Sequence, residues 1–145
     1  RTDPRLAPVL GVHADDDGAL VGRRVGPYEV VGLLGAGGMG VVYEAVRHDV
    51  ELRVALKVVR AGWLAGPEAV ARFLAERRAL ARLAHPNIAR LLDAGVDDAR
   101  RPYLAMEYVE GATLLAHCDA RRLGVRARLA LFVQVCDAVD DAHRA

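Results

Sequence analysis

The sequence predicts an α+β fold: a five-stranded antiparallel sheet with one helix inserted, followed by further helices. Three observations predict it. Short β-branched runs divided by glycines or polar turns fill residues 28–60, a segment of helical spacing opens at Pro67, and from Gly111 onward the apolar pattern is helical. At 145 residues, 53% of them hydrophobic, the chain is the size of one ordinary domain. A core of that size needs neither disulfides nor a structural metal.

Residues 1–26 hold Pro4 and Pro8, an acidic triplet at Asp15, Asp16 and Asp17, and no sustained period, so they read as a linker or N-terminal arm. The triplet does not make a calcium loop, because its twelfth position would be Arg24 instead of a bidentate Glu. Strands are expected over residues 28–34, 41–47 and 52–60, in the manner of a meander. The helix opened by Pro67 places Val70, Phe73, Leu74, Leu80 and Leu83 at helical spacing, and His85-Pro86 ends it. Two more strands are expected over 88–94 and 102–108, then a short helix after Gly111 and a long one over 125–143. The long helix is apolar on both sides, with Leu129, Phe132, Val133, Cys136 and Val139 on one and Leu131, Val135 and Ala138 on the other. Such a helix is normally buried between other elements. A first residue other than Met, and a last residue inside a helical pattern, read as the ends of a piece of a longer chain, in which case this helix exposes apolar surface.

Twenty basic residues against nineteen acidic ones give a net charge of +1, which argues against a bulk nucleic-acid binder. No apolar run reaches the length of a membrane span, and the first residues hold no hydrophobic stretch of the signal-peptide kind. Cys118 and Cys136 are too few for a disulfide scaffold and lack zinc-site spacing, so both read as buried thiols in a reducing, cytoplasmic compartment. No metal-ligating residue is assigned.

Gly35-Ala36-Gly37-Gly38-Met39-Gly40 matches G-x-G-x-x-G, which alone is a weak signal. Glycines serve phosphate binding because backbone N–H groups approach anionic oxygens closely where no Cβ intervenes. A dinucleotide fold needs a helix after the last glycine, but Val41-Val42-Tyr43 reads as a strand. A Walker loop needs Gly-Lys followed by Ser or Thr, and Val41 follows Gly40. A strand, glycine turn and strand instead make a lid over a triphosphate. That reading requires a lysine on the third strand, and Lys57 is the only lysine in the chain, the other nineteen basic residues being Arg. It also requires a helix carboxylate to hold the lysine, and Glu76 lies beside the stripe of Phe73 and Leu80.

With these motifs in order, the sequence resembles the eukaryotic-type bacterial serine/threonine protein kinases from about Val21 to Ala145. The stretches that carry the likeness are GPYEVVGLLGAGGMGVVYEA, RVALKVV, RFLAERRALARLAHPNIARLLDAG, RPYLAMEYVEG and LFVQVCDAVDDAH. The stretch around Cys118 to Cys136 is similar to a subgroup whose kinase domain is often joined to a membrane span and tetratricopeptide repeats. The resemblance implies that residues 27–109 are a kinase N-lobe with its hinge and 110–145 the start of a C-lobe, cut before the catalytic loop. It implies ATP and Mg²⁺ as cofactors, with Gly35, Ala36, Gly37, Gly38, Met39 and Gly40 over the phosphates and Lys57 on the α- and β-phosphates, held by Glu76. Leu34, Val42 and Ala55 would enclose the adenine, with Met106 behind it. The Glu107 carbonyl and Val109 amide would bond the adenine edge. Leu80 and Leu91 would stack between lobes, while His85 would cap the His-Pro-Asn turn and His143 sit at a helix end, neither of them catalytic.

The family's catalytic Asp, its Asn and the Asp-Phe-Gly metal ligands would fall after Ala145. The implied partners are therefore ATP and a protein substrate acting with a full-length parent, and the 145-residue piece itself is expected to be inactive. A nucleotide-binding pseudokinase scaffold is the alternative. A small-molecule phosphotransferase sharing the fold ranks below it, and an oxidoreductase last.

Overall fold

A computed structural model describes residues 19–60 and 84–144. Among them six strands form a single antiparallel sheet: β1 (Arg24–Val25), β2 (Tyr28–Gly37), β3 (Gly40–Arg47), β4 (Leu52–Val59), β5 (Leu91–Val96) and β6 (Pro102–Glu107). Two helices follow, α1 (Leu114–Ala120) and α2 (Val125–Arg144). The spatial order is β1-β2-β3-β4-β6-β5, so β2, β3 and β4 are the expected meander and β6 enters between β4 and the edge strand β5. The helix expected from Pro67 lies outside the described residues, as do Glu76, Leu80 and the acidic triplet.

The core is written in the alternation of the strands. Tyr43 and Ala45 of β3, Val54, Leu56 and Val58 of β4, and Tyr103 and Ala105 of β6 all face one side and are buried. Register sets large against small: Leu56 lies across from Tyr43 on one flank and Ala105 on the other. Leu20, Val25, Tyr28 and Val30 complete the cluster.

One corner is built around Tyr103. Its ring meets that of Tyr28 edge-on, with centroids 5.8 Å apart and planes at 73°. A Cβ on Gly26 would lie 2.7 Å from the Tyr103 hydroxyl and one on Gly95 2.6 Å from it, so these two glycines make room for a ring. The Tyr28 hydroxyl donates to Asp93 Oδ2 at 3.1 Å. Burial, and then the neighbouring Asp93 carboxylate, pushes the Tyr28 phenol up to about 12.

Several boundaries differ from the sequence expectation. The sheet has six strands instead of five, because Arg24 and Val25, placed in the linker by composition, pair with Glu29 and Tyr28. A two-residue strand is too short to display a period, and Val25 is nonetheless fully buried. The fourth expected strand, over 88–94, starts three residues later and ends two later as β5. The His-Pro-Asn turn delays its start: the Ile88 N–H donates to the His85 carbonyl at 3.1 Å. Its end is set by Asp97, whose buried carboxylate accepts from the Arg101 backbone N–H at 2.7 Å and from the Arg101 guanidinium at 2.6 Å.

The helices begin where expected. The Thr113 hydroxyl caps α1 by accepting from the Ala116 N–H at 3.2 Å. Arg128 fastens α2 back to α1, donating to the Leu123 carbonyl at 2.9 Å and to Asp119 at 2.6 Å. Cys118 is buried, but Cys136 is exposed, against the expectation of two buried thiols. Cys136 shares its side of α2 with Leu129, Phe132, Val133 and Val139, which are also exposed, Phe132 at 56%. The apolar exposure expected of this helix is therefore present.

Candidate functional site

On β4 the residues between the core positions point to the opposite face of the sheet, which places Arg53, Ala55 and Lys57 together. Register extends this face sideways. Val42 of β3 lies across from Lys57 and Glu44 across from Ala55. On the other flank, Leu104 of β6 lies across from Lys57 and Met106 across from Ala55. Val42, Glu44, Ala55, Lys57, Leu104 and Met106 are half-buried, and Arg53 is exposed. The result is a shelf three strands wide, with one ammonium at one end and an apolar patch of Val42, Ala55 and Met106 beside it. Four residues named from the sequence are thereby brought together.

The glycine hairpin continues β2 and β3 past the Lys57 end of this shelf. Gly35 pairs with Val42, Ala36 with Val41 and Gly37 with Gly40, leaving Gly38 and Met39 as the turn. The Arg60 N–H donates to the Met39 carbonyl at 3.2 Å, tying the turn to the end of β4. A register shift between Leu33 and Gly35 marks a bulge at Leu34. Bulges sharpen strand twist and re-aim the chain beyond them. A strand follows the last glycine, as the nucleotide-lid reading requires, which removes the dinucleotide-fold alternative.

The glycines do not share one role. At Gly35, Gly37 and Gly38 nothing lies within 4 Å of where a Cβ would stand, so the space beside their backbone is unfilled. This openness fits a phosphate chain. At Gly40 a Cβ would run into the backbone carbonyl oxygen of Val58, so that glycine serves the approach of β3 to β4. Gly40→Ala is accordingly expected to cost about 1–3 kcal/mol by overpacking. Gly37→Ala should change stability by less than about 1 kcal/mol and act on nucleotide affinity instead. Urea unfolding of the two variants checks the contrast.

Glu107 ends β6 and starts the segment expected to meet the adenine edge. Its N–H donates to the Arg90 carbonyl at 2.9 Å, and its carboxylate accepts from the Arg90 N–H at 3.3 Å. Val109 is 69% exposed. Arg53 donates from Nε to Glu44 Oε1 at 2.7 Å and from Nη1 to Glu110 Oε1 at 2.6 Å. Its guanidinium carbon also sits 3.9 Å from the centre of the Tyr108 ring. Arg53 and Glu110 were given no role from the sequence, and Tyr108 was named only as part of the segment Glu107-Tyr108-Val109. The available signal was the spacing of Arg53, Ala55 and Lys57 at i, i+2 and i+4, which puts all three on one face.

The Asn87 N–H donates to His85 Nδ1 at 3.1 Å, in keeping with a turn-capping histidine. His143 lies in the last turn of α2. An open groove of about 1030 Å³ runs beside residues 107–109, lined by Asn87, Glu107, Val109, Leu114, His117 and Val139 among others. No described residue of β2, β3 or β4 lines it, and Glu107 and Val109 are the residues it shares with the expected adenine edge. Among the described residues no three His, Cys, Asp or Glu side chains converge to hold a metal ion.

The family described as protein kinase domain matches residues 28–145. The chain is 43% identical over 140 residues to the serine/threonine-protein kinase Pkn1 of Myxococcus xanthus, covering 97% of this chain and 19% of that protein. It is 35% identical over 127 residues to the serine/threonine-protein kinase PrkC of Bacillus subtilis, covering 86% and 19%. Against PknA of Mycobacterium tuberculosis the identity is 38% over 125 residues, covering 83% and 29%. The crystal structure of the Mycobacterium tuberculosis PknI kinase domain superposes with a TM-score of 0.67 at 35% identity, covering 85% of this chain and 50% of that one. The chain thus spans under a third of the length of these relatives and half of a solved kinase domain.

Proposed function

The chain belongs to the protein kinase family, and from that premise we propose that it is the ATP-binding half of a serine/threonine protein kinase that transfers a phosphoryl group to protein hydroxyls. The observation that supports the proposal is the shelf: Val42, Ala55, Lys57 and Met106 share one face, and the glycine hairpin adjoins it where Gly35 pairs with Val42. Gly35, Gly37 and Gly38 offer backbone N–H groups to the phosphates, with Ala36, Met39 and Gly40 completing the lid. Lys57 places positive charge at one end of the shelf, on the α- and β-phosphates, and Glu76 is the carboxylate assigned to hold it. Leu34, Val42 and Ala55 enclose the adenine and Met106 closes the back, while the Glu107 carbonyl and Val109 N–H bond its edge.

Positioning and charge neutralisation supply most of the catalysis in phosphoryl transfer. A lysine fixed on a strand does both, because its charge sits where negative charge must be tolerated and costs no rearrangement at the moment of reaction. When bound, Mg²⁺ supplies further neutralisation of the phosphates, but no described residue here is assigned to it. No residue of this chain is assigned to orienting the acceptor hydroxyl either. No described helix is long and apolar enough to cross a membrane, and we assign the domain to the cytoplasm.

Amide NMR of the 145-residue chain tests the reading. ATP should shift the resonances of residues 35–40, 55–57 and 106–109, with weak affinity, and the chain alone should transfer no phosphate to a generic protein substrate. Shifts confined to residues of α1 and α2, or robust transfer by this chain alone, would overturn the assignment.

A further inference from the structure

The hinge leaves the shelf where the β4–β6 ladder ends. The last β4–β6 partners are Val54 and Glu107, so residues 108–110 lie past the end of the ladder. On the β5 side Glu107 is fixed by its two bonds to Arg90. On the β4 side the described contacts to residues 108–110 come from Arg53, which packs on the Tyr108 ring and donates to Glu110. Val109, whose N–H is assigned to the adenine edge, lies between those two residues. Arg53 also occupies the same face of β4 as Ala55 and Lys57, and Glu44 holds it from β3.

We propose that Arg53 is a positioning residue for the base: its guanidinium fastens residues 108–110 to the strand that carries Ala55 and Lys57, and so sets the width of the adenine slot. The inference deepens the proposed function and rests on it. Exposed ion pairs contribute little to stability, and the Arg53 side chain is 43% exposed. Its consequence is geometric. One planar group stacks on a ring and donates to two carboxylates at once, which a lysine ammonium does not reproduce. Loosening it frees the hinge backbone relative to Ala55 but leaves the glycine hairpin and Lys57 untouched. The base should therefore feel the change and the phosphates should not.

The test compares ATP with inorganic tripolyphosphate as ligands of the 145-residue chain, titrated by NMR for the unsubstituted sequence, Arg53→Ala and Arg53→Lys. Arg53→Ala should weaken ATP binding about 3- to 10-fold, the loss expected when hydrogen bonds to a base edge are misaligned. Tripolyphosphate affinity should stay within about twofold, and Arg53→Lys should recover only part of the ATP loss. If Arg53→Ala fails to fold, Glu110→Gln removes the charge at the hinge end alone and should show the same selective loss in smaller degree. An equal fall for both ligands, or full recovery with lysine, overturns the inference. So does ATP binding that the substitutions leave unchanged, while the proposed function survives that result. Absence of ATP binding by the unsubstituted chain overturns both.

Discussion

Lys57→Met, placed in a polypeptide that spans a whole kinase domain, is expected to lower phosphoryl transfer about 10²- to 10³-fold, the usual consequence of removing one preorganised charge-stabilising group. The fold should be unaffected. Lys57 stands on the half-buried shelf, away from the core face, and Met keeps most of the aliphatic stem packed between Val42 and Leu104. Lys57→Arg should also be severely impaired, since a planar fork does not place its charge where a compact ammonium does. Radiolabel transfer from ATP, with circular dichroism to show retained structure, checks both variants. Unchanged transfer by the Met variant would remove Lys57 from the mechanism.

The neighbouring residue should behave in the opposite way. Leu56→Ala is expected to destabilise the domain by about 2–5 kcal/mol, through lost burial and a cavity that the stiff sheet cannot collapse. Leu56 is fully buried and wedged between Tyr43 and Ala105. Because the net stability of a domain is only about 5–15 kcal/mol, that is a large share of the whole. Molecules that remain folded should still bind ATP, because the shelf face keeps all its residues. Leu52, 37% exposed at the start of the same strand, is the control; its change to Ala should cost no more than about 0.5 kcal/mol. Urea unfolding of the two variants, with ATP titration of the folded fraction, separates stability from binding at adjacent positions.

What could be read from the sequence follows from the range over which each feature is encoded. The β2–β4 meander was legible because its period, its glycine turn and its polar turn are all local. The site inherits that legibility: once β4 is a strand, alternation alone puts Ala55 and Lys57 on one face. β1 was not legible, because two residues carry no period and Val25 is buried by strands that follow it. The displacement of β5 depends on the turn that Ile88 closes on His85 and on Asp97 folding back on Arg101, bonds that a propensity pattern does not register. Gly40 looked like its companions in the motif, and only the approach of the Val58 carbonyl distinguishes it. Arg53 was hidden for a related reason: its hinge partner Glu110 is 57 residues away, and nothing local marks the pairing.

The most direct test of the nucleotide shelf exploits the single lysine. An ATP derivative bearing an acyl-phosphate electrophile should acylate the chain at Lys57, as located by peptide mass spectrometry, and excess unmodified ATP should suppress the adduct. Modification only of the N-terminal amine, or labelling of Lys57 that ATP does not diminish, would contradict the account.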